Sequence, residues 1–574
     1  HTISGRVTGV QTCALPICLH ETTFRNTLIR SGMNPYVYEH ANIREQVSWV
    51  HHGEAATEKA TRLVSAAAAK AELLKPLESI RVDAGPYATV IGGGIAGLRA
   101  AKDLADRGIE VTLIEKSPFL GGQLARLDRV APTGEIAAEL VTELAEQVIE
   151  DPAITVHTCT VVEKFEGYVG NFKLGVKKAP PQFPEDAEAE MGQRLEDLKP
   201  GQWVPFSGLF PDPPTAEKNL TIGAGVIVLA TGFTSYVPRR GEYGYGDHKE
   251  VITLSDLIRI LAEDSPGGNR LKVNGREIKN IAMIHCVGSR QIPGIHPEDK
   301  SGRLNEYCSR TCCTATINAA NIIRETYSGT KIYDFYRDIR TYGRGQEELY
   351  NLASQNKVVF LRFDADESPE VTEHNDSDAY PLRVKVKDTL TFGEEVEVPA
   401  DLVVLAVGME PTGISKLVDM MKLPVGMDRF LLEVHPKLRP VELPMAGILL
   451  AGTCQAPMDV GEVCNGAGGA AVKAAALLAK GYLELDPFVA EVDMATCKGT
   501  GTCVEVCLVD GALTMVETET DGETVRRAQV TPALCLGCGA CVAVCPENAI
   551  EVSGWTLKQY EAMVDRIVAD SVTG

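Results

Sequence analysis

The chain has 574 residues, 44% apolar and 23% charged, the ordinary balance of a globular protein with roughly three or four domains. Its 78 acidic and 56 basic residues leave a formal charge of −22, which excludes a nucleic-acid backbone as the expected partner. No apolar run reaches the roughly 18 residues of a spanning helix. Sixteen cysteines are too sparse to staple a chain of this length, but eleven fall into three groups, which reads as ligation by reduced thiols.

Residues 1–18 (HTISGRVTGVQTCALPIC) show neither a helical nor a strand period and lack the features of a signal peptide. They resemble a translated sequencing-adapter read, so they are expected to be foreign, with Cys13 and Cys18 irrelevant to the fold. The other reading is a short natural tail. Residues 19–84 are expected to form a truncated N-terminal domain. Within it ETTFRNTLIRSG reads as a helix stopped by Gly32, and Glu54 to Lys75 as an alanine-rich helix ending near Pro76.

Residues 85–240 are expected to begin a dinucleotide-binding domain. Tyr87–Ile91 (YATVI) is a short apolar strand followed at once by GGGIAG, a helical pattern closed by Gly108, and a second strand ending at Glu115. Gly92 permits the turn, Gly94 lets backbone amides approach a pyrophosphate, and Gly97 lets the helix pack on the strand. The helix N-terminus favours phosphate charge, and Glu115 can accept from ribose hydroxyls. NAD and FAD share this fingerprint, so further signals must decide. They are Gly121-Gly122, the strand GAGVIVLATGF, and GILLAGTCQAPMDVGEV within a returning segment at residues 431–487. This set resembles the FAD-binding domain of the thioredoxin-reductase-like flavoproteins. The candidate cofactor residues are Gly92, Gly94, Gly97, Glu115, Lys116, Gly121, Gly122, Gln123, Thr231, Gly232, Gly452 and Asp459. An NAD-only Rossmann domain is the competing reading.

Residues 241–430 carry strand-like runs (KNIAMIHCVG, KIYDFY, DLVVLAVG) that suit a second dinucleotide-type domain. A glycine loop should follow the first of these runs; a cysteine stands there instead. The domain is therefore expected to be degenerate and not to oxidise NAD(P)H directly. Cys286 and the run Cys308-Ser-Arg-Thr-Cys312-Cys313 bring four thiols together, which suits iron–sulfur or zinc. A redox dithiol and uncoordinated cysteines are the other readings.

Residues 488–574 hold the most specific motif. Cys535, Cys538, Cys541 and Cys545 with Pro546 match the bacterial ferredoxin run, in which the fourth cysteine serves the other cluster. In the partner run CKGTGTCVEVC, Cys497, Cys503 and Cys507 take the first, third and fourth places, and Thr500 takes the second. One set is then complete: Cys535, Cys538, Cys541 and Cys507. The other, Cys497, Cys503 and Cys545, lacks a thiolate, and a hydroxyl is a poor iron ligand, so a [3Fe-4S] or labile [4Fe-4S] centre is expected there. The competing readings are a sequence error or an unfilled site. After the module, TLKQYEAMVDRIVAD reads as an amphipathic helix packing Leu557, Tyr560, Met563, Val564 and Ile567 on its own domain. Cys454 and Cys464 read as core fillers, Cys159 as a strand residue, and His51, His52 and His285 as structural.

CVGSR, YCSRTCC, FYRDIRTYGRGQEELY, HPKLRPV and HETTFRNTLIRSGMNPYVYEHANIREQVSWVH together are similar to the A-type iron–sulfur flavoprotein family of heterodisulfide reductase, from about Leu19 onward. The resemblance implies an α/β protein: a thioredoxin-reductase-like FAD-binding Rossmann fold, a degenerate second dinucleotide-type domain, and a C-terminal α+β ferredoxin domain. It implies FAD and [4Fe-4S] clusters, one of them on Cys286, Cys308, Cys312 and Cys313 beside the isoalloxazine. It implies a cytoplasmic oxidoreductase component, a homodimer within a complex, with other subunits of that complex, hydrogenase or formate dehydrogenase donor subunits, and ferredoxin as partners. Such a component can split an electron pair between a disulfide and ferredoxin. Where family members commonly set a lysine toward the flavin, this chain has Asn318, which donates a hydrogen bond but adds no charge. Longer members carry an inserted ferredoxin module; between Cys159 and Thr231 this chain has no second cysteine to build one. Two further readings are a non-bifurcating conduit of the quinone-interacting membrane oxidoreductase type and an NADPH-dependent reductase of the glutamate synthase small-subunit type.

Overall fold

Two parallel five-stranded sheets, alike in the order of four strands and differing in whether the fifth, edge strand comes last or first in the chain, form the centre of the molecule. The computed structural model describes residues 17–181, 202–204, 208–210, 214–263, 268–374, 379–520 and 523–568. The adapter-like residues 1–18 and the acidic stretch after Lys178 lie largely outside the described residues.

The first sheet runs Ile448–Leu450, Val226–Leu229, Tyr87–Ile91, Glu110–Ile114, Ile154–His157, all parallel. Its strands read as unbroken apolar runs because both faces are covered; all four residues of Val226–Leu229 are buried. The helix Ile95–Ala105 covers one face through Leu98, Ala101 and Leu104. The helix Val460–Leu478 packs against that helix, and its Ala467, Ala470, Ala471 and Ala474 let the two approach closely. The small-residue pattern before Leu478 thus serves packing rather than a membrane. Among the described residues no helix is long and apolar enough to cross one.

The second sheet runs Val251–Thr253, Leu402–Val407, Asn280–Val287, Lys331–Tyr336, Val359–Arg362, again all parallel. The helix Cys312–Thr326 lies over it and buries Ile317, Ala320 and Ile323. A two-stranded ribbon, Phe233–Ser235 against Met409–Pro411, joins the two halves. Each half also carries a three-stranded antiparallel sheet that sequence reading did not anticipate. These are Thr160–Tyr168, Asn171–Lys178 and Lys218–Ala224, and Glu370–Glu373, Leu382–Asp388 and Glu394–Ala400. Cys159, expected within a strand, sits in the bend before the first of them with φ +51°.

The C-terminal module pairs Ala490–Val492 with Ile550–Val552 and adds the hairpin Leu513–Thr520/Glu523–Val530. Two short helices, Thr502–Glu505 and Ala540–Ala543, pack together beneath the cysteine loops. The terminal helix Leu557–Val568 forms as expected but docks elsewhere. It lies along Glu54–Ala71, where Lys70 is buried over the Trp555 ring and paired with Glu39 at 2.7 Å. Gln559, not the apolar stripe, is its buried residue; Leu557, Tyr560, Val564 and Ile567 remain exposed.

Candidate functional site

The glycine turn of the first sheet is as crowded as a phosphate-binding turn must be. A methyl group at Gly97 would lie 1.8 Å from the Gly92 carbonyl oxygen, and one at Gly92, where φ is +117°, would lie 2.2 Å from Ala230 O. Backbone cannot yield at such distances, so only glycine fits. Gly94 precedes the helix Ile95–Ala105 in extended conformation, leaving the first-turn amides to face outward. Glu115 is fixed rather than free. Its Oε2 accepts Gly93 N–H at 2.5 Å and its Oε1 accepts Ser117 N–H at 2.8 Å, and each oxygen keeps a lone pair for a ribose hydroxyl.

The glycine pair joins the same cradle. Gly121 bridges to Gly94, and its N–H donates to Gly93 O at 2.8 Å. A methyl at Gly122 would lie 2.9 Å from Gly94 Cα. Gln123 follows and donates from Nε2 to Phe233 O at 3.3 Å. Thr231 and Gly232 follow the strand Val226–Leu229, and Thr231 lies beside the buried Cys454 thiol. Gly452 is buried with φ +74°, and a methyl there would lie 2.7 Å from Ala96 Cβ. Asp459 caps the helix Val460–Leu478 in a reciprocal box with Glu462. Lys116 stands exposed beside this cradle. Close backbone approach and helix N-termini suit a long dinucleotide cofactor.

In the second sheet the equivalent turn is built from different residues. The strand Asn280–Val287 leads not into a helix but into residues 288–311, and the helix Cys312–Thr326 starts only then. Cys286, Arg290 and Arg310 all adopt left-handed backbone, with φ of +63°, +53° and +59°. Non-glycine residues stay there only where surroundings hold them, as at functional sites. Arg310 N–H donates to Cys308 Sγ at 3.3 Å, and Arg290 Nη1 donates to Cys286 Sγ at 3.9 Å. The Cys312 thiol donates to Cys313, which lowers the pKa of Cys313 and raises that of Cys312. His285, read from the sequence as structural, is fully buried with its Nε2 3.0 Å from Asp334 Oδ1. Burial, the largest single influence, would lower its pKa, but Asp334 and Cys313 together outweigh it and raise it. Asn318 is half-buried in the second turn of the Cys312–Thr326 helix.

In the C-terminal module Cys507, Cys535, Cys538 and Cys541 line one pocket with Leu508, Ala490 and Leu513. Cys535 Sγ accepts N–H bonds from Ala490 at 3.3 Å and Gly537 at 3.5 Å. Cys497 and Cys545 neighbour Cys503, whose pKa is raised by burial first and then by these thiols. Cys545 Sγ accepts from Ala549 N at 3.3 Å. Thr500 is exposed, its hydroxyl 3.4 Å from that of Thr502. Among the described residues no three His, Cys, Asp or Glu side chains gather round one point as a single-ion site requires. The complete cysteine set instead surrounds a volume, which fits a polynuclear iron–sulfur group.

Sequence reading found the cysteines and glycines but not the arginines beside them. Arg290 and Arg310 lie inside the runs CVGSR and YCSRTCC, yet nothing in a single sequence says which way their side chains reach.

A 4Fe-4S dicluster domain model matches residues 490–549, and an NAD(P)-binding Rossmann-like domain model matches residues 90–145. The solved thioredoxin reductase of T. acidophilum aligns over 68% of this chain and 96% of its own at 17% identity, with a TM-score of 0.40, too weak a likeness to carry weight. The second A-type iron–sulfur subunit of the CoB–CoM heterodisulfide reductase of Methanopyrus kandleri is 38% identical over 88% of this chain and 82% of its own. The A-type subunit of the H2:CoB–CoM heterodisulfide,ferredoxin reductase of Methanothermobacter thermautotrophicus is 35% identical over 85% of this chain and 79% of its own. The A-type subunit of the ferredoxin/F420H2-dependent CoB–CoM heterodisulfide reductase of Methanosarcina acetivorans is 34% identical over 85% of this chain and 65% of its own. A Rossmann-type FAD cradle and a 4Fe-4S module, shared with relatives this similar over this length, mean that the chain belongs to the family of A-type iron–sulfur subunits of heterodisulfide reductase, which are oxidoreductases.

Proposed function

We propose that the chain relays electrons within a heterodisulfide-reductase-like complex, from a donor subunit toward a disulfide-reducing partner and ferredoxin. The supporting observation is a direct link from the cysteine loop to the half that carries the glycine turn: Arg310, whose N–H reaches Cys308 Sγ, donates from Nη2 to Glu462 Oε1 at 2.6 Å, at the start of the helix Val460–Leu478. When bound, FAD exchanges electrons in pairs or singly and iron–sulfur clusters exchange them singly, so together they convert one kind of traffic into the other.

The chain's own residues bind and orient. Gly92, Gly94, Gly97, Gly121 and Gly122 bring amides to the pyrophosphate, and Glu115 accepts the ribose hydroxyls. Cys286, Cys308, Cys312 and Cys313 would hold one [4Fe-4S] cluster, and Cys507, Cys535, Cys538 and Cys541 a second. Cys497, Cys503 and Cys545 would hold a [3Fe-4S] centre, because Thr500 offers a hydroxyl where a thiolate is needed. Asn318 would face the flavin as a neutral donor. The disulfide site belongs on a partner subunit. The relatives' names point to H2, ferredoxin or F420H2 as ultimate donors; hydrogenase or formate dehydrogenase subunits would deliver the electrons, and the chain would pair with a second copy inside a cytoplasmic complex.

Thr500 and Asn318 favour a second reading, a non-bifurcating conduit. Copurification with a membrane cytochrome, rather than with hydrogenase or formate dehydrogenase subunits, would select it. An NADPH-dependent reductase is disfavoured, since the strand Asn280–Val287 leads into residues 288–311 and not through a glycine turn into a helix. The test is anaerobic reconstitution with iron and sulfide, then addition of NADPH and, separately, reduced ferredoxin. The proposal expects flavin bleaching with ferredoxin and none with NADPH; bleaching by NADPH alone would overturn it.

A further inference from the structure

A capping box occupies only one oxygen of each of its two acids. At the start of the helix Val460–Leu478, Asp459 Oδ1 accepts Glu462 N–H at 2.8 Å and Glu462 Oε2 accepts Asp459 N–H at 3.1 Å. The second oxygen of each acid is taken from the cysteine-bearing half. Arg310 Nη2 donates to Glu462 Oε1 at 2.6 Å, and Gln346 Nε2 donates to Asp459 Oδ2 at 3.4 Å.

Neither donor is a loose surface side chain. Arg310 Nη1 also donates to Pro457 O at 3.0 Å and its Nε to Tyr342 Oη at 2.5 Å, so one guanidinium grips three acceptors. Its backbone is left-handed, and its N–H meets Cys308 Sγ. Gln346 is buried, and its Oε1 accepts Gly343 N–H at 3.1 Å. An exposed ion pair by itself holds little. Here two polar contacts converge on one helix cap from one neighbouring half, and domains joined by a narrow ribbon rock against each other unless something ties them.

We infer that Arg310 and Gln346 are positioning residues that latch the cysteine loop to the cap of the FAD-side helix, so that the spacing between flavin and cluster is set within this chain rather than by a partner subunit. The inference rests on the cofactor assignment proposed above. Its geometry involves no cofactor atom.

Glu462→Gln is the sharpest variant, because glutamine still serves at the third position of a capping box while the charged acceptor for Arg310 is gone. Gln346→Leu cuts the second contact and guards against a folding defect in the first variant. Both are compared with the wild-type full chain, reconstituted anaerobically, by FAD, iron and sulfide analysis, amide hydrogen exchange and flash-induced flavin–cluster equilibration. With cofactor contents unchanged, Glu462→Gln should speed exchange about tenfold in residues 306–315 and 454–466 together, leave residues 490–549 unaltered, and slow equilibration by a similar factor. Gln346→Leu should do the same by about threefold. Wild-type exchange in residues 306–315 of both variants, or loosening confined to 454–466 with equilibration unchanged, would overturn the latch. A wild-type chain that takes up neither FAD nor iron would instead sink the cofactor assignment, and the exchange comparison would still decide the latch.

Discussion

The two five-stranded sheets share the order of four strands but use their central turn differently. In the first, the strand Tyr87–Ile91 passes through Gly92–Gly94 straight into a helix, and the absent side chains leave room for a phosphate. In the second, the strand Asn280–Val287 enters residues 288–311, and Cys286 near the strand's end and Arg290 and Arg310 beyond it take left-handed backbone without being glycine. On the proposed assignment, the topological switch point of a parallel sheet fixes where a cofactor sits, whereas the residues at the turn decide which cofactor it is.

The strongest way to break this comparison is to deny the first turn its glycine. Gly97→Ala places a methyl 1.8 Å from the Gly92 carbonyl oxygen. It should cost about 3 kcal/mol of stability and lower bound FAD roughly tenfold or more, read by thermal unfolding and by flavin absorbance of the purified chain. Retention of full flavin would show that the turn is not the cradle. Next comes the second turn. Cys313→Ser should remove about four irons per chain and leave the flavin in place, as measured by iron, sulfide and FAD analysis. Simultaneous loss of flavin would mean that the two turns are not separate cofactor sites.

Gly122→Ala is milder, since its methyl would meet Gly94 Cα at 2.9 Å from a residue with φ +57°. An FAD affinity weaker by about tenfold or less, roughly 1 kcal/mol, is expected from fluorescence titration. The smallest effect sharpens a parallel contrast inside the C-terminal module. There Gly499 and Gly537 occupy matching crowded positions, against Arg526 O at 2.3 Å and Phe488 O at 2.1 Å, yet one loop presents Thr500 and the other Cys538. Thr500→Cys should add about one iron per chain and abolish the near-isotropic signal of an oxidised three-iron centre, with flavin and stability unchanged.

Much of this was legible in the sequence for a physical reason. Short-range patterns carry their own chemistry: Gly92–Gly97 between two apolar strands, and cysteines at ferredoxin spacing. The antiparallel sheets at Thr160–Tyr168 and Glu370–Glu373 were not read, although strands such as Leu382–Asp388 (LRVKVKD) alternate cleanly; alternation marks one half-buried strand but does not say which strands it pairs with. The terminal helix shows the opposite error. Its stripe of Leu557, Tyr560 and Val564 suggested packing, but burial is decided by the neighbour, and the neighbour engages Gln559 through Leu73 O at 3.2 Å. His285 with Asp334, Arg310 with Glu462 and Gln346 with Asp459 join residues far apart in the chain, and only the folded molecule brings them together.

The central claim is that one turn holds flavin and its counterpart holds iron and sulfur. FAD, iron and sulfide stoichiometry of the anaerobically reconstituted full chain tests it most directly. The account predicts one FAD with roughly eleven irons, shared among two four-iron clusters and one three-iron centre. A flavin-bearing chain with only the roughly seven irons that the C-terminal module accounts for would contradict it.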